Sequence, residues 1–208
     1  LVSNMDAAIG QVLAALREAG LEDSTTVIFT SDHGDLMGDH GAMLKGPMHF
    51  SGLTRVPFLW ADPRAGTPRP AVPEVCGTLD IARTVLEHTG GTVYNGLQGR
   101  SLLPLLRPGG GADGTEEAGV QIESETARLL FGRPAPYKLR SLVLRDWRLT
   151  FSTDPGMCEL YDLRGDPHER YNLWDDERHR ATREALVQQL LREMVRASEA
   201  SPLALFGG

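Results

Sequence analysis

Residues 31 to 50 read SDHGDLMGDHGAMLKGPMHF: Asp32 stands beside His33, the Asp-His-Gly pattern repeats at Asp39, His40 and Gly41, and Lys45 and His49 follow. A carboxylate is a hard oxygen donor and a neutral imidazole a nitrogen donor, so an adjacent Asp and His can both reach one divalent cation where the backbone turns sharply. Gly34 permits such a turn. The donor set is incomplete, because calcium takes about 6–8 ligands, and neither the Asp and Glu spacing of an EF-hand loop nor His-Glu-x-x-His is present. Either other ligands come from elsewhere, or Asp32 caps a turn and His33 is a hydrogen-bonded turn histidine.

Lys45 lies thirteen residues after Asp32 in the apolar, glycine-flanked stretch AMLKGP. Such surroundings suit a point charge aimed into a crevice, although a solvated surface lysine has the same sequence appearance. A cation and an ammonium beside an anionic substrate would neutralise oxygen charge during displacement at sulfur or phosphorus. His49 fits a substrate-pocket lining or a surface position equally. Asp39 and His40 read as a turn with His40 hydrogen-bonded beneath the site, and Asp35 as exposed.

The elements that must position these side chains are legible on either side. Before them, TTVIFTS is a short β-branched and aromatic run typical of a strand buried on both faces, and it delivers Asp32 and His33 at its carboxyl end. In an open parallel sheet that edge carries the ligand crevice. Met5, Ile9, Val12, Leu13 and Leu16 recur at helical spacing, with Ser3 or Asn4 as cap and Gly20 as a left-handed stop. After the loop, VPFLW reads as another strand. TLDIARTVLEHTGG reads as a helix with Leu79, Ala82, Val85 and Leu86 on one face, and SLLPLL as a brief helical turn.

The polar, glycine-rich stretch RPGGGADGTEEAG separates two parts. The expected organisation is an α/β portion over residues 1–107, a linker or loop at 108–118, and a small antiparallel sheet with a closing helix over 119–208. In the last part, GVQIES, LRSLVLRD, WRLTFST and CELYDL are strand-like runs with the close spacing of a meander, Glu123 and Glu125 facing solvent. Ala185, Leu186, Leu190, Met194 and Val195 form the stripe of the closing helix, and Tyr161 and Trp174 read as packing residues.

Composition narrows the partners. A formal net charge of −7 over 208 residues gives no positive field for a nucleic acid or an anionic membrane surface. No apolar stretch reaches the roughly 20 residues of a membrane helix. Cys76 and Cys158 have no Cys-x-x-Cys spacing, which leaves two inert thiols as the simplest account. The chain opens at Leu1 and is in a helical pattern almost at once, so an N-terminal portion, with any export signal, is expected to be missing and localisation is open.

The stretch TTVIFTSDHGDLMGDHGAMLKGPMHFSGLTRVPFLW resembles the second metal-binding segment of the type I, formylglycine-dependent sulfatases of the alkaline phosphatase superfamily. The helix and strand before it, TLDIARTVLEHTGG with LQGRSLLPLL after it, and CELYDLRGDPHERYNL near the end are similar to that family's segments in the same order. The resemblance implies an α/β fold, part of an alkaline phosphatase-like mixed sheet with flanking helices, plus the small C-terminal sheet and helix. It implies that Asp32 and His33 bind a divalent metal, calcium first, with magnesium or manganese as alternatives. Lys45 would be the catalytic and sulfate-binding lysine, and His49 would contact substrate.

The family's nucleophile is a formylglycine made from a Cys/Ser-x-Pro-x-Arg motif, which is absent from these 208 residues, as is the family's N-terminal Asp-Asp pair that completes the metal shell, since Asp175-Asp176 lies in a polar turn near the C-terminus. The resemblance therefore implies the C-terminal half of a sulfuric-ester hydrolase, inactive alone, acting in its parent on a small-molecule sulfate ester. Surface exposed by truncation would favour self-association. The alternatives are a phosphonate or phosphodiester hydrolase of the same superfamily, or a non-catalytic binding module.

Overall fold

The computed structural model describes residues 1–65, 71–107, 119–126 and 137–198. Helix α1 spans Val2–Glu18 and starts directly after Leu1 without a side-chain cap, so Ser3 and Asn4 lie inside it rather than capping it. Its end is the expected one. Gly20 adopts φ +68, and the Leu21 amide reaches back to the Leu16 carbonyl at 3.1 Å, a closure that glycine makes without a Cβ penalty.

Strand β1, Val27–Thr30, pairs antiparallel with β2, Phe58–Ala61, Val27 standing opposite Ala61 and Thr30 opposite Phe58. The expected burial on both faces in a parallel array is not found. Among the described residues β2 is the only partner of β1, and Val27, Ile28 and Phe29 are half-buried. A β-branched run specifies a strand, but the layers that would cover it depend on other segments. Between the two strands the chain forms the long loop and one short helix, α2, Ser51–Thr54.

Helix α3, Leu79–His88, packs through a face that apolar spacing does not mark. Its buried residues are Asp80 and Thr84, whereas Leu79 is exposed. The Asp80 carboxylate accepts from the Gly77 amide at 2.9 Å and the Arg100 amide at 2.8 Å, and the Thr84 hydroxyl accepts from the Leu102 amide at 2.9 Å. These bonds seat the short helix α4, Leu103–Leu106, and bury Leu102 and Leu105. The glycine-rich stretch 108–118 lies outside the described residues.

The four C-terminal runs form an antiparallel meander in the order β3 (Val120–Thr126), β4 (Tyr137–Val143), β5 (Trp147–Ser152), β6 (Glu159–Asp162). Leu142, Leu149 and Leu160 stand in register across three strands and pack with Leu144 against Leu186 and Leu190 of helix α5, Arg180–Arg196. Met194 joins them, while Val195, one residue on, turns to solvent. Glu123 and Glu125 are exposed, as expected.

The opposite face of this sheet is polar yet buried. Ser141, Arg148, Thr150 and Glu159 sit on it, each less than a tenth exposed, because the loop after β1 covers it with Leu36, Met48, Phe50 and Leu53, packed against Leu139, Met157 and Tyr161. The protein thus layers α5, sheet and loop, and the loop layer carries the candidate site.

The first part has no equivalent cover. An open hollow of about 2470 Å³ lies between α1, the β1–β2 ladder and α3, with Ile9, Leu16, Ile28 and Trp60 on its wall. Val12 is 69% exposed and Met5 55%. Contiguous apolar surface of this kind drives association in water. Sedimentation velocity of the 208-residue chain is expected to show concentration-dependent association that Val12→Glu combined with Met5→Glu reduces; a wild-type chain that stays monomeric through the micromolar range would refute this.

Candidate active site

The carboxyl end of β1 hands the chain to Asp32 and His33, whose backbone is fixed immediately afterwards. The Gly34 amide donates to the Leu53 carbonyl of α2 at 2.8 Å, and a Cβ on Gly34 would lie 2.0 Å from the Gly52 carbonyl oxygen. Glycine is therefore required here by close approach of two backbones rather than by a left-handed turn. Two residues on, the Leu36 amide donates to the Leu44 carbonyl at 3.1 Å, which brings Lys45 back alongside His33.

Three of the four sequence-predicted residues converge. The His33 Nδ1 lies 2.7 Å from the Gly34 carbonyl oxygen. A carbonyl only accepts, so Nδ1 carries the proton and Nε2 presents its lone pair. That Nε2 accepts from the Lys45 ammonium at 2.8 Å and stands 3.4 Å from Asp32 Oδ2. The carboxyl of Asp32 is held below its ordinary range, chiefly by a hydrogen bond from the His33 backbone, with the Lys45 charge adding to it. One side chain offers anionic oxygen, one a nitrogen lone pair and one a positive charge, all around a single imidazole edge.

The donors fit a divalent cation in type, and both are open to solvent, the side chain of Asp32 being 83% exposed and that of His33 39%. Their number falls short of a full shell, for among the described residues no three His, Cys, Asp or Glu side chains gather around one point.

His49 is not part of this grouping. Its ring is 3% exposed, with Nδ1 2.7 Å from the Ser141 hydroxyl and Nε2 2.8 Å from the Ser124 hydroxyl. The residue expected against substrate instead pins the loop to the C-terminal sheet, since both nitrogens are already engaged. Burial first, then the charges of Arg148 and Arg140, push its pKa down from its usual 6.5 to about 4. His40 also differs from expectation. It takes φ +54 and stacks flat on Phe50, ring centroids 3.7 Å apart, rather than reaching the site through a hydrogen bond.

The loop is supported by residues that the spacing of Asp32, His33 and Lys45 could not reveal. Arg148 is 1% exposed and donates to Glu159 at 2.8 Å and to Thr150 at 2.7 Å, and its Nε also donates to Glu169. Its guanidinium lies 5.2 Å from the Phe50 ring and 4.7 Å from that of Tyr161. A single arginine between alternating strand residues carries no sequence signal of burial.

Comparison with known proteins decides the family. Residues 1–91 match the sulfatase family model. The chain belongs to the sulfatase family. It is 32% identical over 202 residues to the multifunctional alkaline phosphatase superfamily protein PehA of Trinickia caryophylli, and 30% identical over 196 residues to an arylsulfatase of Clostridium perfringens, covering 92% and 93% of itself. The phosphonate monoester hydrolase of Agrobacterium radiobacter has the same fold, with a TM-score of 0.78 and 25% identity over 94% of this chain. This sulfatase chain spans 38% of the length of each of the two relatives and 40% of that structure. Sulfatases work with a metal ion and a formylglycine, and Asp32 and His33 have the donor chemistry such an ion needs.

Two outcomes follow from the geometry. A histidine neutral down to about pH 4 when folded but titrating near 6.5 when unfolded takes up its proton preferentially in the unfolded chain, so its stabilisation is present above 6.5 and drains away as pH falls toward 4. Denaturant titration is expected to show about 2 kcal/mol lost between pH 7 and pH 5, and His49→Gln to remove most of that slope. Gly34→Ala, which drives a methyl into the Gly52 carbonyl, is expected to cost on the order of 3 kcal/mol in the same assay; a neutral result would mean that the two backbones separate freely.

Proposed function

We propose that the protein carrying this chain is a sulfuric-ester hydrolase, in which Asp32 and His33 supply part of a divalent-cation site and Lys45 holds the sulfate oxyanion. The observation that carries the reading is the meeting of carboxylate, unprotonated Nε2 and ammonium at one edge of His33. A cation bound there would supply electrostatic stabilisation to an anionic ester. Calcium accords with the hard carboxylate oxygen, and magnesium and manganese are also compatible with an oxygen and nitrogen pair.

The chain's own residues then have distinct tasks. The Gly34 carbonyl keeps the proton of His33 on Nδ1, so that Nε2 stays a donor of electrons rather than of hydrogen. Lys45 donates to that lone pair at 2.8 Å. Turning from His33 Nε2 to a sulfate oxygen, it would meet the negative charge that grows on the departing ester oxygen. Asp32 is ionised at neutral pH and below it. Because no Cys/Ser-x-Pro-x-Arg occurs in these 208 residues, the formylglycine nucleophile and the remaining ligands are assigned to a segment outside them. The chain alone is accordingly inactive.

A second enzymatic reading draws on the phosphonate monoester hydrolase neighbour: the same ammonium and cation would serve a phosphonate or phosphodiester. Turnover of an aryl sulfate and an aryl phosphonate monoester by the complete protein, side by side, chooses between them. Turnover of neither ester would favour a binding module with a decayed site. Lys45→Ala is expected to lower kcat on the preferred ester by on the order of 10²–10³-fold, and Asp32→Asn to raise the metal concentration needed for half-maximal rate. Undiminished turnover in Lys45→Ala would overturn the assignment.

A further inference from the structure

Glu169 is 2% exposed and adopts φ +53, a backbone region that a non-glycine residue occupies only when its surroundings hold it there. Both carboxylate oxygens are in use. Oε1 accepts from Arg148 of β5, and Oε2 accepts from the backbone amide of Ser51 at 2.7 Å. Ser51 is the first residue of α2, the helix whose Leu53 carbonyl receives the Gly34 amide directly after Asp32 and His33. Leu36 and Leu53 lie in the same buried cluster, and Leu36 pairs with Leu44, the neighbour of Lys45. A continuous set of contacts therefore runs from a buried ion pair in the C-terminal sheet to all three site side chains.

We infer that Glu169 is a positioning residue for this site: anchored by Arg148, it fixes the start of α2 through Ser51, and α2 in turn fixes the Asp32–His33 backbone and the return of Lys45. The inference rests on the functional reading above for its catalytic consequence, but the mechanical link stands on these contacts alone. A glutamate here does what a neutral cap would not. The buried charge of Arg148 needs a carboxylate, and the same carboxylate gives the Ser51 amide a charge-assisted acceptor.

The link can be cut while both charged residues of the ion pair are kept. Ser51→Pro replaces the amide hydrogen with the ring Cδ, and the hydroxyl is lost with it, at a first helical position that proline tolerates; the preceding Phe50 already has the extended φ −61 and ψ 148 that proline requires of its neighbour. Glu169→Gln is the companion variant, and Leu190→Ala, in the core beneath α5, is a control that weakens the sheet without touching Ser51. In the complete protein, hydrogen exchange followed by mass spectrometry is expected to speed up at least 10-fold over residues 31–41 in Ser51→Pro and Glu169→Gln. Residues 147–152 should remain protected in Ser51→Pro.

Titration with Mn²⁺ is expected to weaken by about 10-fold in both variants, the usual effect of losing an outer support of metal ligands. In both, kcat on the preferred ester falls while KM changes less. Unchanged exchange over 31–41 in Ser51→Pro, or an equal change in Leu190→Ala, would overturn the inference. Wild-type protein that binds no Mn²⁺ and turns over no ester would overturn the functional reading instead, leaving the exchange data to judge the link.

Discussion

A guanidinium cannot be taken out of water unless its charge is met, and Arg148 is almost wholly enclosed. Burial alone would lower its pKa, but Glu159 and Glu169 outweigh that cost and keep it charged. Two rings close the remaining faces, Phe50 from the loop and Tyr161 from β6. The arrangement needs contributions from the loop, from two strands and from the turn after β6 simultaneously. Losing either carboxylate would leave a buried charge under-compensated, and the Phe50 ring packed on the guanidinium ties the loop to the sheet.

The same economy appears at His49, where a neutral imidazole satisfies the buried hydroxyl of Ser141 and the half-buried one of Ser124, and Ser141 is further bonded to Thr150 at 2.6 Å. A polar sheet face has been made into an interface by pairing Ser141, Thr150 and Glu159 with groups of the loop and of Arg148. This explains how a segment rich in glycine and aspartate can place Asp32, His33 and Lys45 in one arrangement. Entropy that the loop would otherwise retain is removed by a few well-paired contacts, while Asp32, His33 and Lys45 stay accessible to solvent.

Much of this was legible in order and type. The helices at either end, the strand before Asp32 and the four-strand meander follow from hydrophobic spacing and turn residues. The grouping of Asp32, His33 and Lys45 followed from residue chemistry together with family resemblance. Illegible were the partners. Asp80 and Thr84 are buried on α3 where apolar spacing pointed to Leu79 and Ala82, because their oxygens satisfy the backbone of the turn at Arg100 and Leu102. Arg148, Thr150 and Ser141 alternate with leucines in the way of a solvated face, and nothing local announces that a distant loop will cover them.

By itself, then, the sequence determined the elements and the chemical inventory of the site, since helix and strand periods are set by neighbours along the chain and donor type by the side chain alone. Tertiary structure decided that His33 exposes Nε2 and not Nδ1, that His49 is buried and bonded to Ser141 and Ser124 instead of standing beside His33, and that Glu169 reaches Ser51 more than a hundred residues away. Each of these depends on which polar group meets which in a space closed to water. That choice is made by the packing of whole layers, over separations that no local pattern of residues encodes.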